Sequence, residues 1–137
     1  MAEKLKVEVV TPEGVILDRE VEEVVAPGIL GEFGVLIGHT PMLTFIKPGI
    51  LSYLEDNKFT KFVVGKGFCE VLKDSVAVLV EEAYRKKDID ANEASAEVAE
   101  LENELAALDS VEQSEEYERI SDKLKVARYK VALVSGS

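Results

Sequence analysis

The sequence predicts an all-β sandwich followed by an antiparallel α-helical hairpin, and three observations carry that prediction. Up to about Tyr84, apolar residues come in short runs that alternate with polar ones, the period-two pattern of half-buried strands. Turn-forming residues separate these runs, and no helical stripe intervenes. Beyond Lys87 the apolar residues recur every three or four positions instead. The expected domains are residues 1–87, the sandwich, and residues 88–137, the hairpin.

In the first domain Leu5, Val7 and Val9 alternate with Lys4, Lys6 and Glu8. Val15-Ile16-Leu17 and Val21 to Ala26 follow, set off by Pro12, Gly14 and Pro27-Gly28. Further strands are expected over Ile50 to Leu54, Phe59 to Val64, Phe68 to Leu72 and Val76 to Val80. Asp56-Asn57 and Lys73-Asp74-Ser75 are the hairpin turns between them. The run Val76-Ala77-Val78-Leu79-Val80 is apolar on both faces, whereas the outer face of a two-layer sandwich is normally wet. Two readings stand: a central strand with apolar residues outside by chance, or an outer face covered by a helix of this chain or by a partner.

In the second domain Ala94, Val98, Leu101, Leu105 and Leu108 form one narrow stripe. Tyr117, Ile120, Leu124, Ala127, Val131 and Val134 form another. Asp109 to Ser114 breaks the pattern between them, so the helices pair as a hairpin. Asp90 with Glu93, and Ser110 with Gln113, have capping-box spacing. The stripes are rich in alanine. A buried Leu contributes roughly 1.5–3 kcal/mol and an Ala far less, so the hairpin is expected to be marginal and able to undock.

Composition narrows the function. Among 137 residues, 16 are basic and 27 acidic, a net charge of −11, which argues against binding nucleic acid or anionic lipid. An acidic surface suits basic protein patches. Cys69 is the only cysteine, which rules out an internal disulfide and a cysteine-rich zinc site. No run approaches the roughly 18 to 20 apolar residues of a membrane helix, so any membrane location implies docking rather than direct insertion. The start, Met1 to Lys6, has neither signal-peptide nor transit-peptide character, an expectation that favours a bacterial or plastid-encoded chain.

Catalytic chemistry finds no constellation. His39 is the sole histidine and no nucleophile motif accompanies it. Gly28, Gly31, Gly34 and Gly38 lack the Gly-Lys-Ser/Thr ending of a phosphate loop, and serve turns and bulges instead. No catalytic residue, metal or cofactor is expected, and the chain reads as a non-enzyme. From Asp88 to Glu118 there is no Lys or Arg, whereas Arg119, Lys123, Lys125, Arg128 and Lys130 crowd the last helix. Either these bases oppose the helix macrodipole or they form a face for an acidic partner.

The stretch from Pro27 through Gly38-His39-Thr40-Pro41-Met42-Leu43-Thr44, with Ile46-Lys47-Pro48-Gly49-Ile50-Leu51 after it, resembles the hallmark segment of F-type ATP synthase epsilon subunits. Gly67-Phe68-Cys69-Glu70-Val71, Glu82-Ala83 and Asp88-Ile89-Asp90 fit the same family, so the resemblance spans essentially the whole chain. It implies a non-catalytic rotor subunit of the central stalk, bound to the gamma subunit and to the c-ring on the cytoplasmic face of a bacterial inner membrane, or the equivalent thylakoid face. Carried over by position, Glu32, Gly38, His39 and Pro41 are the c-ring contacts. The readings of Glu32 as a solvated turn residue and of His39 as a turn-stabilising hydrogen bonder stay open beside that role. The resemblance further implies a hairpin that extends towards the catalytic alpha and beta subunits and suppresses ATP hydrolysis, with Arg119, Lys123, Arg128 and Lys130 as its contact face. Some members bind ATP through an Ile/Leu-Asp-x-x-Arg-Ala motif. Here the string is Ile89-Asp90-Ala91-Asn92-Glu93-Ala94, and a carboxylate at the arginine position repels a nucleotide.

Overall fold

The computed structural model describes residues 4–136; Met1–Glu3, Ser137 and thus the outer ends of both predicted domains lie outside them. Strand β1 (Leu5–Thr11) buries Leu5, Val7 and Val9 and turns Lys6 outward, as its alternation dictates. It pairs antiparallel with β2 (Gly14–Val21), with a bulge between Val9 and Val10. Next come β3 (Glu23–Gly28), β4 (Gly31–Leu36), β5 (Met42–Ile46), β6 (Gly49–Glu55) and β7 (Lys58–Val64). The last strands are β8 (Gly67–Val71), β9 (Ser75–Val80) and β10 (Ala83–Arg85).

The ladder runs β10-β7-β6-β3-β5-β8-β9-β1-β2, with β4 attached to β3. Every pairing is antiparallel except β1 with β9, which aligns Lys6 with Ser75 and Val9 with Val78. The sheet folds on itself into a barrel-like sandwich, closed by side chains where the ladder stops. Arg85 Nη2 donates to the Ile16 carbonyl at 2.6 Å, and Arg19 Nη1 to the Tyr53 hydroxyl at 3.2 Å. Inside lies one core that includes Val24, Val35, Leu51, Phe62, Val71 and Cys69. Burial pushes the Cys69 thiol up to about 12, as a small apolar filler requires. Between β6 and β7, Asp56 and Asn57 both have positive φ, 53° and 62°, which makes the two-residue turn a type I′ hairpin.

The segment expected to be turns and bulges after Gly28 is instead a hairpin arm, β4, and a further strand, β5. Its glycines conceal a strand because Gly31 and Gly34 leave gaps in the apolar alternation. Gly34 stands opposite Val25, and a Cβ there would sit only 3.1 Å from the Glu23 carboxylate.

A 3₁₀ turn, Lys86–Asp88, leads to α1 (Ala91–Ala106) and α2 (Ser114–Ser135). Asp90 caps α1 through its Oδ1, which accepts from Glu93 N at 2.9 Å. The second expected capping box does not form: Gln113 is the N-cap of α2 and makes no side-chain cap bond, while in the turn before it Asp109 accepts from the amides of Val111 at 2.8 Å and Glu112 at 2.9 Å. Gln113 closes the same turn by accepting from Asp109 N at 3.0 Å. The helices meet through Leu101, Ile120, Leu124 and Ala127, flanked by Val98, Leu105 and Leu108. Val126 is buried outside that cluster, on the side of α2 that rests on β6 and β7. Among the described residues, no helix is long and apolar enough to cross a membrane.

Candidate docking surfaces

The hairpin covers one outer face of the sandwich and leaves another bare. On β7, Phe62 and Val64 point into the core, so Val63 between them points out, yet it is fully buried because α2 lies over it. The doubly apolar strand β9 is not the one that α2 covers. Ladder pairing places Phe45 beside Phe68, Phe68 beside Leu79, and Leu79 beside Val10, a row across β5, β8, β9 and β1. Phe45 is 66 % exposed, Phe68 43 % and Leu79 37 %. The row floors a groove of about 700 Å³ whose far wall carries Glu118 and Asp122 of α2. Lys66 bridges to Asp122 at 3.6 Å and fixes that wall to the β7–β8 turn. Exposed apolar side chains in a contiguous row, rather than scattered singly, are a feature of interaction surfaces. The apolar residues on both faces of β9 point to it in the sequence, whereas Phe45 carries no such signal because β5 is not legible as a strand.

The four residues assigned to the c-ring contact do not form a compact cluster. Glu32 pairs with Pro27 next to the tip of the β3–β4 hairpin, where Leu30 is 99 % exposed. Gly38, His39 and Pro41 lie beyond the opposite end of β4. There Gly38 N donates to the Lys73 carbonyl at 2.7 Å, and His39 Nδ1 donates to the Thr40 carbonyl at 2.6 Å. From Glu32 to Leu36 the strand advances about 13 Å, so a contact that includes all four must run the length of β4. Among the described residues, β4 pairs with β3 alone, so its other edge has no strand beside it.

The four bases assigned to the hairpin face are largely engaged within the chain. Arg119 pairs with Glu116 one turn earlier, a contact that raises the guanidinium pKa and lowers the carboxyl. Arg128 Nη2 meets Glu102 at 3.0 Å and Lys130 Nζ meets Glu97 at 3.4 Å, so both reach across from α2 to α1. Lys130 also lies 4.0 Å above the centroid of the Tyr84 ring, and only 15 % of its side chain is exposed. Burial and a 2.6 Å bond from its hydroxyl to Glu82 hold the Tyr84 phenol above its usual range. Lys123 is exposed and makes no ion pair among the described residues. Tyr84 and Lys130 were missed as partners because nothing in the sequence sets β10 against the end of α2.

Where the nucleotide motif string falls, Asp88, Asp90, Glu93, Glu97, Tyr84 and Lys130 line a cleft of about 280 Å³. Its one cation is Lys130, already paired with Glu97. The cleft is therefore acidic around a neutralised lysine.

An apolar row left open on a sandwich and a lightly seated helical arm define the class: a subunit built to dock other proteins. Residues 4–86 match the model of the ATP synthase delta/epsilon chain β-sandwich domain. The ATP synthase epsilon chain of Geotalea daltonii is 42% identical over 136 residues, 99% of each chain. That of Desulfosudis oleivorans is 50% identical over 97 residues, 70% of this chain and 73% of its own. This chain belongs to the ATP synthase epsilon-chain family, whose members are non-catalytic accessory subunits. The fold is shared with a chain in the Euglena gracilis mitochondrial ATP synthase structure, with a TM-score of 0.78, 20% identity, and coverage of 94% of this chain and 80% of that one.

Proposed function

We propose that this chain is a central-stalk rotor subunit of an F-type ATP synthase, docked by its sandwich and braking ATP hydrolysis with its hairpin. The observation that carries the reading is the bare row Phe45–Phe68–Leu79, an apolar surface of the kind that a gamma subunit would cover. Glu32 on β4 and Gly38, His39 and Pro41 beyond its far end face the c-ring in this reading, with the exposed Leu30 tip beside Glu32. The chain then sits peripherally on the cytoplasmic face of a bacterial membrane, or its thylakoid equivalent, held there through protein contacts alone.

The hairpin supplies the brake. Extended, α2 presents Arg119, Lys123, Arg128 and Lys130 to acidic residues of the catalytic alpha and beta subunits. Support comes from how little of the hairpin touches the sandwich: Val126, the Lys66–Asp122 bridge and Lys130 over Tyr84 are its main points of contact. A nucleotide is not part of the mechanism, because Glu93 and its acidic neighbours oppose a polyphosphate in the cleft by Lys130.

The test is ATP hydrolysis by an epsilon-depleted catalytic sector, titrated with the full-length chain and with a chain ending at Lys87. Both should bind, and only the full-length chain should inhibit. Introducing Phe68→Glu with Leu79→Glu should weaken binding of either form by at least about a hundredfold, since two buried charges replace the apolar contact. Undiminished binding would remove the row from the interface.

A further inference from the structure

Taking the braking role above as given, we propose that α1 is an internal stand-in for the acidic partner of α2. Five of its residues, Glu93, Glu97, Glu100, Glu102 and Glu104, are acidic and none is basic. Two of them, Glu97 and Glu102, hold Lys130 and Arg128, which lie two residues apart on α2. Both bases belong to the face assigned to the catalytic subunits. While the hairpin is closed, those charges are already satisfied and α2 has little to offer a second acidic surface. Opening the hairpin frees them in the same step that brings α2 within reach of its target.

The two pairs are not equal. Arg128 and Glu102 are both more than half exposed, and such pairs hold weakly. Lys130 is covered: the Tyr84 ring lies beneath it, Glu97 beside it, and Asp88, Asp90 and Glu93 line the same cleft. A cation that is both screened from water and held by a ring and a carboxylate is withheld, not merely paired. Lys130 thus joins three elements, α2, α1 and β10, and ties the availability of the basic face to the seating of the hairpin on the sandwich. Lys123, exposed and outside these pairs, serves as the built-in reference.

The sequestration can be read on the isolated full-length chain by acetylating its lysines briefly and locating the modification by mass spectrometry. Lys130 should react at least about fivefold more slowly than Lys123, and the variant Glu97→Gln with Glu102→Gln should close most of that gap. Equal rates in the unmodified chain, or a gap that the double variant leaves intact, would overturn the proposal. In the hydrolysis assay the same variant should inhibit at a severalfold lower concentration. Arg128→Met with Lys130→Met should loosen α1 to a similar degree in hydrogen exchange, yet inhibit less. Two variants that open the hairpin alike and inhibit alike would also overturn it. If the unmodified chain does not inhibit at all, the braking role fails, while the labelling result still decides whether α1 withholds Lys130.

Discussion

The sandwich and the helical hairpin both hide apolar side chains, but with very different reserves. The sandwich core runs through nearly every strand, with Val, Leu and Phe side chains fully enclosed. The hairpin relies on Leu101, Ile120, Leu124 and Ala127, with half-buried neighbours. At roughly 1.5–3 kcal/mol per large buried side chain, the first sum dwarfs the second. The two parts also differ in connection. β-Strands hold one another by ladders across the whole sandwich, whereas α1 makes its main tertiary contact with α2 alone. A heavily buried platform and a lightly buried arm therefore coexist in one short chain, and they meet where α2 covers Val63 of β7.

The sharpest way to break this contrast is to wound the platform. Phe62→Ala empties the centre of the core and should cost about 3–5 kcal/mol in denaturant unfolding, carrying sandwich and hairpin down together. Leu124→Ala should cost about 2–3 kcal/mol, but only for the arm. Hydrogen exchange would show α1 and α2 losing protection while β1, β7 and β9 keep theirs. Equal loss in both parts would mean that the arm is not separable.

Smaller still is the turn between the helices. The Glu112 and Val111 amides hold the Asp109 carboxyl below its ordinary range. The unfolded chain therefore binds that proton more readily than the folded one. The contribution is complete above the ordinary carboxylate pKa and is lost as pH falls through the lower folded value. Asp109→Ala should reduce exchange protection of the Val111 and Glu112 amides in the turn before α2 a few-fold near neutrality. The difference between variant and unmodified chain should then vanish in acid.

Much of this was legible from residue order. Leu5-x-Val7-x-Val9 and the three–four spacing from Ala94 to Val134 report burial directly, because each element is buried on one side. β4 and β5 escaped because Leu36, Leu43 and Phe45 face outward, so their apolar side chains break the inward alternation that marks a strand. Of the candidate sites, the identities of the basic residues in α2 were plain, but their engagement was not. Which glutamate lies across from Lys130 depends on how two helices pair, and which ring lies beneath it depends on how the pair seats on β10. Neither relation is local in sequence.

The parallel pairing of β1 with β9 has a consequence for how the chain is made. Val7 cannot find Val76, nor Val9 find Val78, until nearly the whole sandwich has left the ribosome. Closure over such a long loop is slow and comes late, so the platform should mature in one step near the end of synthesis. The helices emerge last of all and meet a surface already finished. Their order of birth matches their order of strength: the arm is added last, to a platform that already holds itself together.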